Sequence, residues 1–133
     1  MKNILLAYDG GEPAKRALAV AMDLTKTFDA SLSVVSVVPV RNGRSPFDPW
    51  DDMSVHVQEL VEARQLLREA GIDAELIEPE GDPAKEIEKI ARVGNFDTVV
   101  IGSRGLGALD RMLQGSVSEH VATHADATVV VAR

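Results

Sequence analysis

From residue 102 the chain reads Gly102-Ser103-Arg104-Gly105-Leu106-Gly107-Ala108-Leu109-Asp110-Arg111-Met112-Leu113-Gln114-Gly115-Ser116-Val117-Ser118. Glycines let main chain approach a ligand closely and adopt positive φ, so successive N–H groups can wrap a phosphate. Gly115-Ser116 reads as the opening of a helix, whose N-terminal N–H groups and dipole attract an anion. Ser116 and Ser118 offer hydroxyls to that anion, and Arg104 offers a charge-assisted contact. An ordinary structural reading competes. Ser116 with Glu119 three residues on makes a capping box, which needs no ligand, and glycines punctuate any strand-to-helix connection. No Gly-Lys-Ser/Thr follows, so this is not a Walker A loop, and it comes too late for a dinucleotide fingerprint.

Other residues with chemical potential are sparser. Asp9 ends an apolar run and faces either a ligand or a turn role. His120 and His124 are four apart on one predicted helix, but zinc needs a third ligand and the sequence indicates none. They read as helix-surface histidines, and no metal site is expected among the protein's own side chains. Trp50, the only tryptophan, reads as anchoring its own loop.

The elements that must position these groups follow from two alternating periodicities. Apolar runs at 3–8, Leu32 to Val38, Ala74 to Ile77, Thr98 to Gly102 and Thr128 to Ala132 predict buried parallel strands. Helical spacing predicts a helix over Glu12 to Phe28, with Ala14, Ala17, Leu18, Ala21, Met22 and Leu24 inward and Pro13 in its first turn. A second spans Ser54 to Ala70, with Val57, Leu60, Val61, Ala63, Leu66 and Leu67 inward. Residues 39–53, with three prolines after Val38 and three aspartates, read as an irregular loop. Asp82-Pro83 caps and opens a third helix ending near Gly94-Asn95. The fourth starts at Ser116.

This order implies an α/β fold, with a five-stranded parallel sheet of order 3-2-1-4-5 and helices on both faces, forming one domain over residues 1–133. Ligands bind such sheets beyond the carboxyl ends of the strands, where the winding direction switches. Here that point lies between strands one and four, so Tyr8-Asp9-Gly10 and the glycine-rich stretch meet there.

Gly102-x2-Gly105-x9-Gly115-Ser116 is similar to the ATP-binding signature of universal stress proteins. Gly115-Ser116-Val117-Ser118-Glu119, Ile4-Leu5-Leu6-Ala7-Tyr8-Asp9-Gly10, Gly81-Asp82-Pro83-Ala84 and Thr128-Val129-Val130-Val131-Ala132-Arg133 resemble that family as well. The resemblance covers essentially the whole chain and implies a Rossmann-like, adenine nucleotide alpha hydrolase-like domain. It implies ATP in the crevice, with Gly102, Gly105, Gly115, Ser116 and Val117 along ribose and phosphates. Ala7, Asp9 and Val37 or Val38 would flank the adenosine. Gly11 departs from the pattern, since serine commonly follows Asp-Gly there. The resemblance also points to a homodimer through the last strand, Thr128 to Ala132, an apolar sheet edge open to pairing.

Composition bounds the rest. The chain has 133 residues, a net charge of -7 and no cysteine. An acidic surface disfavours nucleic acid, so an anionic ligand must be held locally. The lack of cysteine excludes disulfides and thiolate sites and suits a reducing cytoplasm. No run approaches the roughly 20 apolar residues of a membrane span, and the short run after Lys2 is interrupted by Asp9. Three functions remain: an ATP-responsive regulatory dimer in the stress response, a slow ATPase or autophosphorylating protein, and an interaction module that ignores nucleotide. Magnesium is expected only on the phosphates. No general base or arginine finger is evident, and no catalytic residue is assigned.

Overall fold

The computed structural model describes residues 1–38, 49–103 and 111–133, with side chains for 1–38, 58–103 and 117–133. The elements are β1 (Asn3–Ala7), α1 (Glu12–Phe28), β2 (Ser31–Val35), α2 (Pro49–Glu69), β3 (Glu75–Ile77), α3 (Pro83–Val93), β4 (Thr98–Gly102), α4 (Arg111–His124) and β5 (Thr128–Ala132). All strand pairs are parallel, in the order β3-β2-β1-β4-β5. The order inferred from the sequence is the observed one.

Alternation along the strands divides the interior into two cores. Ile4, Leu6 and Tyr8 of the first strand region join Val34 and Val100 beneath α1 and α2, with Ala17, Leu18, Ala21, Leu60, Ala63 and Leu67. Leu5, Ala7, Val35, Val99 and Ile101 point the other way, onto Ile87 and Ala91 of α3 and Val121 of α4. Strands loaded on both faces must read as unbroken apolar runs, which is why β1 and β4 do. Each fully buried Leu, Ile or Val contributes on the order of 1.5–3 kcal/mol relative to exposure.

Three sequence-based boundaries move. α2 begins at Pro49, inside the segment read as loop. Proline fits a first helical turn, and Asp51 and Asp52 just behind it complement the helix dipole. Trp50 therefore belongs to a helix; its side chain lies outside the described residues. Among the described side chains of α2, Leu60, Ala63 and Leu67 are the buried apolar ones, whereas Val61 and Leu66 are exposed, because a 3.6-residue period leaves them beside the inward face; Val57 lies outside the described side chains. α4 begins at Arg111, so Gly115-Ser116 lies in its second turn and does not open it. Arg111, Met112, Leu113 and Gln114 are good helix formers and extend the helix backwards past one interior glycine. The second strand is also shorter than expected, ending at Val35, with Val38 retained as an isolated bridge to Glu80.

Asp97 ties together the amino ends of three strands. Its carboxylate accepts the N–H of Lys2 at 2.8 Å, the N–H of Asn3 at 3.1 Å and the Thr98 hydroxyl at 2.7 Å. Its own N–H donates to the Asn3 carbonyl at 3.0 Å, and its carbonyl accepts from Thr128 N–H at 3.0 Å. These donors favour the ionised carboxyl, the Lys2 N–H most, then the Thr98 hydroxyl, so its pKa lies below the ordinary 3.8.

A close approach governs the other end of the sheet. A Cβ on Gly102 would strike the Pro13 carbonyl and lie 2.8 Å from Pro13 Cβ, so only glycine lets the end of β4 meet the first turn of α1. Among the described residues, no helix is long and apolar enough to cross a membrane.

Two outcomes follow for stability. Asp97→Asn is expected to destabilise the protein in denaturant unfolding at neutral pH. Because the folded-state pKa is depressed, that difference is complete above about pH 5 and fades as pH falls through 3.8 and below; an equal deficit at pH 7 and pH 3 would refute the assignment. Gly102→Ala is expected to lose about 1–3 kcal/mol by overpacking against Pro13, whereas a loss below about 0.5 kcal/mol, the range of an ordinary surface change, would show the approach to be soft.

Candidate functional site

The chain winds outward from β1 through β2 to β3, then returns across the sheet to β4. The reversal sets the carboxyl ends of β1 and β4 side by side next to the start of α1, which is where sheets of this kind open a crevice.

Ala7 closes β1 and is buried toward α3 and α4, while Asp9 is exposed just beyond it. Asp9 Oδ1 accepts the Gly11 N–H at 3.0 Å, so the turn role raised for it is present. That bond occupies one carboxylate oxygen. Gly10 has φ of 82°, in the left-handed region glycine tolerates, and the Glu59 side chain fills the place of its missing Cβ. Gly11 is the N-cap of α1 and supplies no side-chain cap. A serine there would cap the helix, so the departure from the family pattern removes a local bond as well as a hydroxyl.

Val37 and Val38 are half-buried beyond β2. Val38 is held on both sides, its N–H donating to Pro79 at 2.8 Å and its carbonyl accepting from Gly81 at 3.0 Å. Asp82 caps α3 through a bond from Lys85 N–H at 3.1 Å, as its place before Pro83 predicts. On the opposite wall Gly102 ends β4, and Ser103 N–H extends the ladder to the Ala132 carbonyl at 2.8 Å. Arg104 and Gly105 lie outside the described residues. Gly115 and Ser116 are placed as backbone in α4, and their side-chain surroundings are likewise not described. Val117 is half-buried against the α3–α4 core, and Ser118 is buried on the same helix.

The structure thus brings Ala7, Asp9, Gly102 and Ser103 to one end of the sheet, with Val37 and Val38 along the β2 side. Three groups at this end escaped sequence reasoning. The Arg16 guanidinium on α1 reaches the Ser103 carbonyl at 3.5 Å and sets a cation beside the end of β4. Glu59 arrives over Gly10 from α2. Tyr8 is buried, and burial first, then Glu59, Glu62 and Asp9, raises its pKa, so its phenol stays protonated. Each contact joins elements far apart in the chain, and no local spacing announces it. A second, open depression of about 400 Å³ lies at the amino ends of the strands between Ser33, Ile77, Ile90 and Phe96, away from this crevice.

Comparison with known proteins agrees with the fold. The profile of the universal stress protein family matches residues 1–133. The chain is 28% identical to the stress response protein NhaX of Bacillus subtilis, over 98% of this chain and 96% of that protein. It is 35% identical to a putative universal stress protein of Staphylococcus aureus, over 99% of this chain and 84% of the other. Among solved structures, universal stress protein UspA from Lactobacillus plantarum superposes with a TM-score of 0.75 at 25% identity, covering 99% and 97% of the two chains. The Archaeoglobus fulgidus universal stress protein in complex with dAMP gives 0.77 at 20% identity, covering 100% and 98%. An Arabidopsis thaliana family protein with AMP bound gives 0.73 at 23%, covering 99% and 91%. With a family match along its whole length, this chain belongs to the universal stress protein family.

Proposed function

We propose that this chain binds an adenine nucleotide, ATP in the first place, in the crevice between β1 and β4, and serves as a nucleotide-responsive regulatory homodimer in the stress response. The observation that carries the reading is the winding reversal that sets Ala7 and Asp9 beside Gly102 and Ser103. The AMP and dAMP held by two proteins of the same fold support the adenine nucleotide class.

In this reading the adenosine lies against Ala7 and Val37 or Val38, and the free oxygen of Asp9 takes a ribose or adenine hydrogen bond. Gly102, Arg104, Gly105, Gly115, Ser116 and Val117 follow the ribose and phosphates. The α4 boundary refines the phosphate contact. The described part of α4 runs from Arg111, so Gly115 lies within the helix and keeps that turn free of a side chain. Arg16 adds positive charge at the β4 end, which an acidic protein of net charge -7 needs locally. Magnesium would ride on the phosphates with most of its water. With no base assigned for the attacking water, turnover is expected to be slow at most.

β5 is a sheet edge with Val131 exposed, and its outer backbone row fits pairing with a second copy. The absence of cysteine suits a cytoplasmic site of action.

Calorimetric titration of nucleotide-stripped protein with ATP and magnesium is expected to give one site per chain. Gly115→Val is expected to abolish that binding while the circular dichroism stays native; unchanged affinity in the variant would overturn the phosphate assignment. Rapid stoichiometric phosphate release in a single turnover would instead favour an enzyme. Val131→Lys is expected to convert a dimer to a monomer in sedimentation, and a variant that remains dimeric would remove β5 from the interface.

A further inference from the structure

We propose that Glu88, His120 and His124 form a binding site for a divalent transition-metal ion, zinc by preference, that ties α3 to α4. One ligand atom from each of the three lies within 4.8 Å of those of the other two. His120 and His124 sit one turn apart on α4 with their rings stacked, centroids 4.2 Å apart and planes 21° apart. Glu88 comes across from α3 and brings Oε1 to 2.8 Å from His120 Nε2. The histidine spacing was legible in the sequence; the third ligand was not, because it lies more than thirty residues away on another helix.

Three features favour a cation over an ion pair alone. Glu88 Oε1 is buried yet accepts no aligned hydrogen bond, despite the nearby histidine nitrogen. A buried carboxylate oxygen without a donor is costly, and a cation between the three groups would satisfy it. His124 Nδ1 lies 3.0 Å from the His120 carbonyl. A carbonyl can only accept, so Nδ1 carries the proton and Nε2 is left with its lone pair for a metal, the arrangement typical of ligating histidines. Finally, two imidazoles and a carboxylate are a recognised three-ligand zinc set, leaving a fourth position for water. Tetrahedral bonds of about 2.0–2.1 Å put ligand atoms roughly 3.3 Å apart, so the Glu88–His120 pair must open by about half an ångström. Nitrogen ligands disfavour magnesium and calcium, which take oxygen.

The site is separate from the nucleotide crevice. His124 ends α4 with three residues between it and the start of β5, at the amino ends of the strands, whereas the crevice lies above their carboxyl ends. The proposal therefore stands or falls without the nucleotide reading.

The experiment titrates untagged, nucleotide-free, metal-free protein with zinc chloride against a chromophoric chelator. One zinc per chain at micromolar or tighter affinity is expected. Glu88→Gln and His124→Ala should each weaken it by roughly tenfold or more, the scale on which metal sites respond to lost partners. Cobalt should give the intense visible bands of a tetrahedral site in the wild type, independently of whether any variant folds. Wild-type protein that fails to compete for zinc, or a folded His120→Asn/His124→Asn double variant that keeps wild-type affinity, would overturn the proposal.

Discussion

The pairing of β1 with β4 is the contact on which the rest of the molecule depends. Ile4, Leu5 and Leu6 lie opposite Thr98, Val99 and Val100, two strands more than ninety residues apart in sequence. Everything before β4 winds one way from β1, and everything after it winds the other way. Both strands are buried on both faces, so their backbone groups have no recourse to water and must pair with each other. Asp97 fixes the register at the amino end by gathering Lys2, Asn3, Thr98 and Thr128. Gly102 governs the opposite end, where the β4 backbone presses on Pro13.

The same reversal that closes the sheet sets the ends of β1 and β4 side by side, where the proposed nucleotide would lie. Asp9 and Glu59 both stand near that end, so the proposed anion would need local donors there. Arg16 is a cation at that end, reaching the Ser103 carbonyl, and Asp9 already accepts the Gly11 N–H. The far end of the α3–α4 layer has a different character. There Glu88 meets His120 and His124, and the chemistry suits a cation.

Much of this was legible in the sequence. Strands buried on both faces read as apolar runs, so β1 and β4 were found almost to the residue, as was the β-branched edge strand β5, and right-handed crossovers favoured the observed strand order. The α1 limits followed from its inward stripe and from Pro13. Boundaries failed where two rules competed. Pro49 reads as a loop residue in a stretch with Pro39 and Pro46, yet it also suits a first helical turn, and the turn won. Gly115-Ser116 has the look of a helix start, but four good helix formers precede it. The contacts of Arg16, Glu59 and Glu88 were not legible, since each depends on which helices become neighbours.

Hydrogen exchange with and without saturating ATP and magnesium tests the central claim most directly, because it reports where on the chain the nucleotide acts. The account predicts slowed exchange at residues 7–11 and 102–118, with the amino ends of the strands and the Asp97 contacts unchanged. Slowed exchange confined to other segments, or no change anywhere at saturating nucleotide, would contradict it.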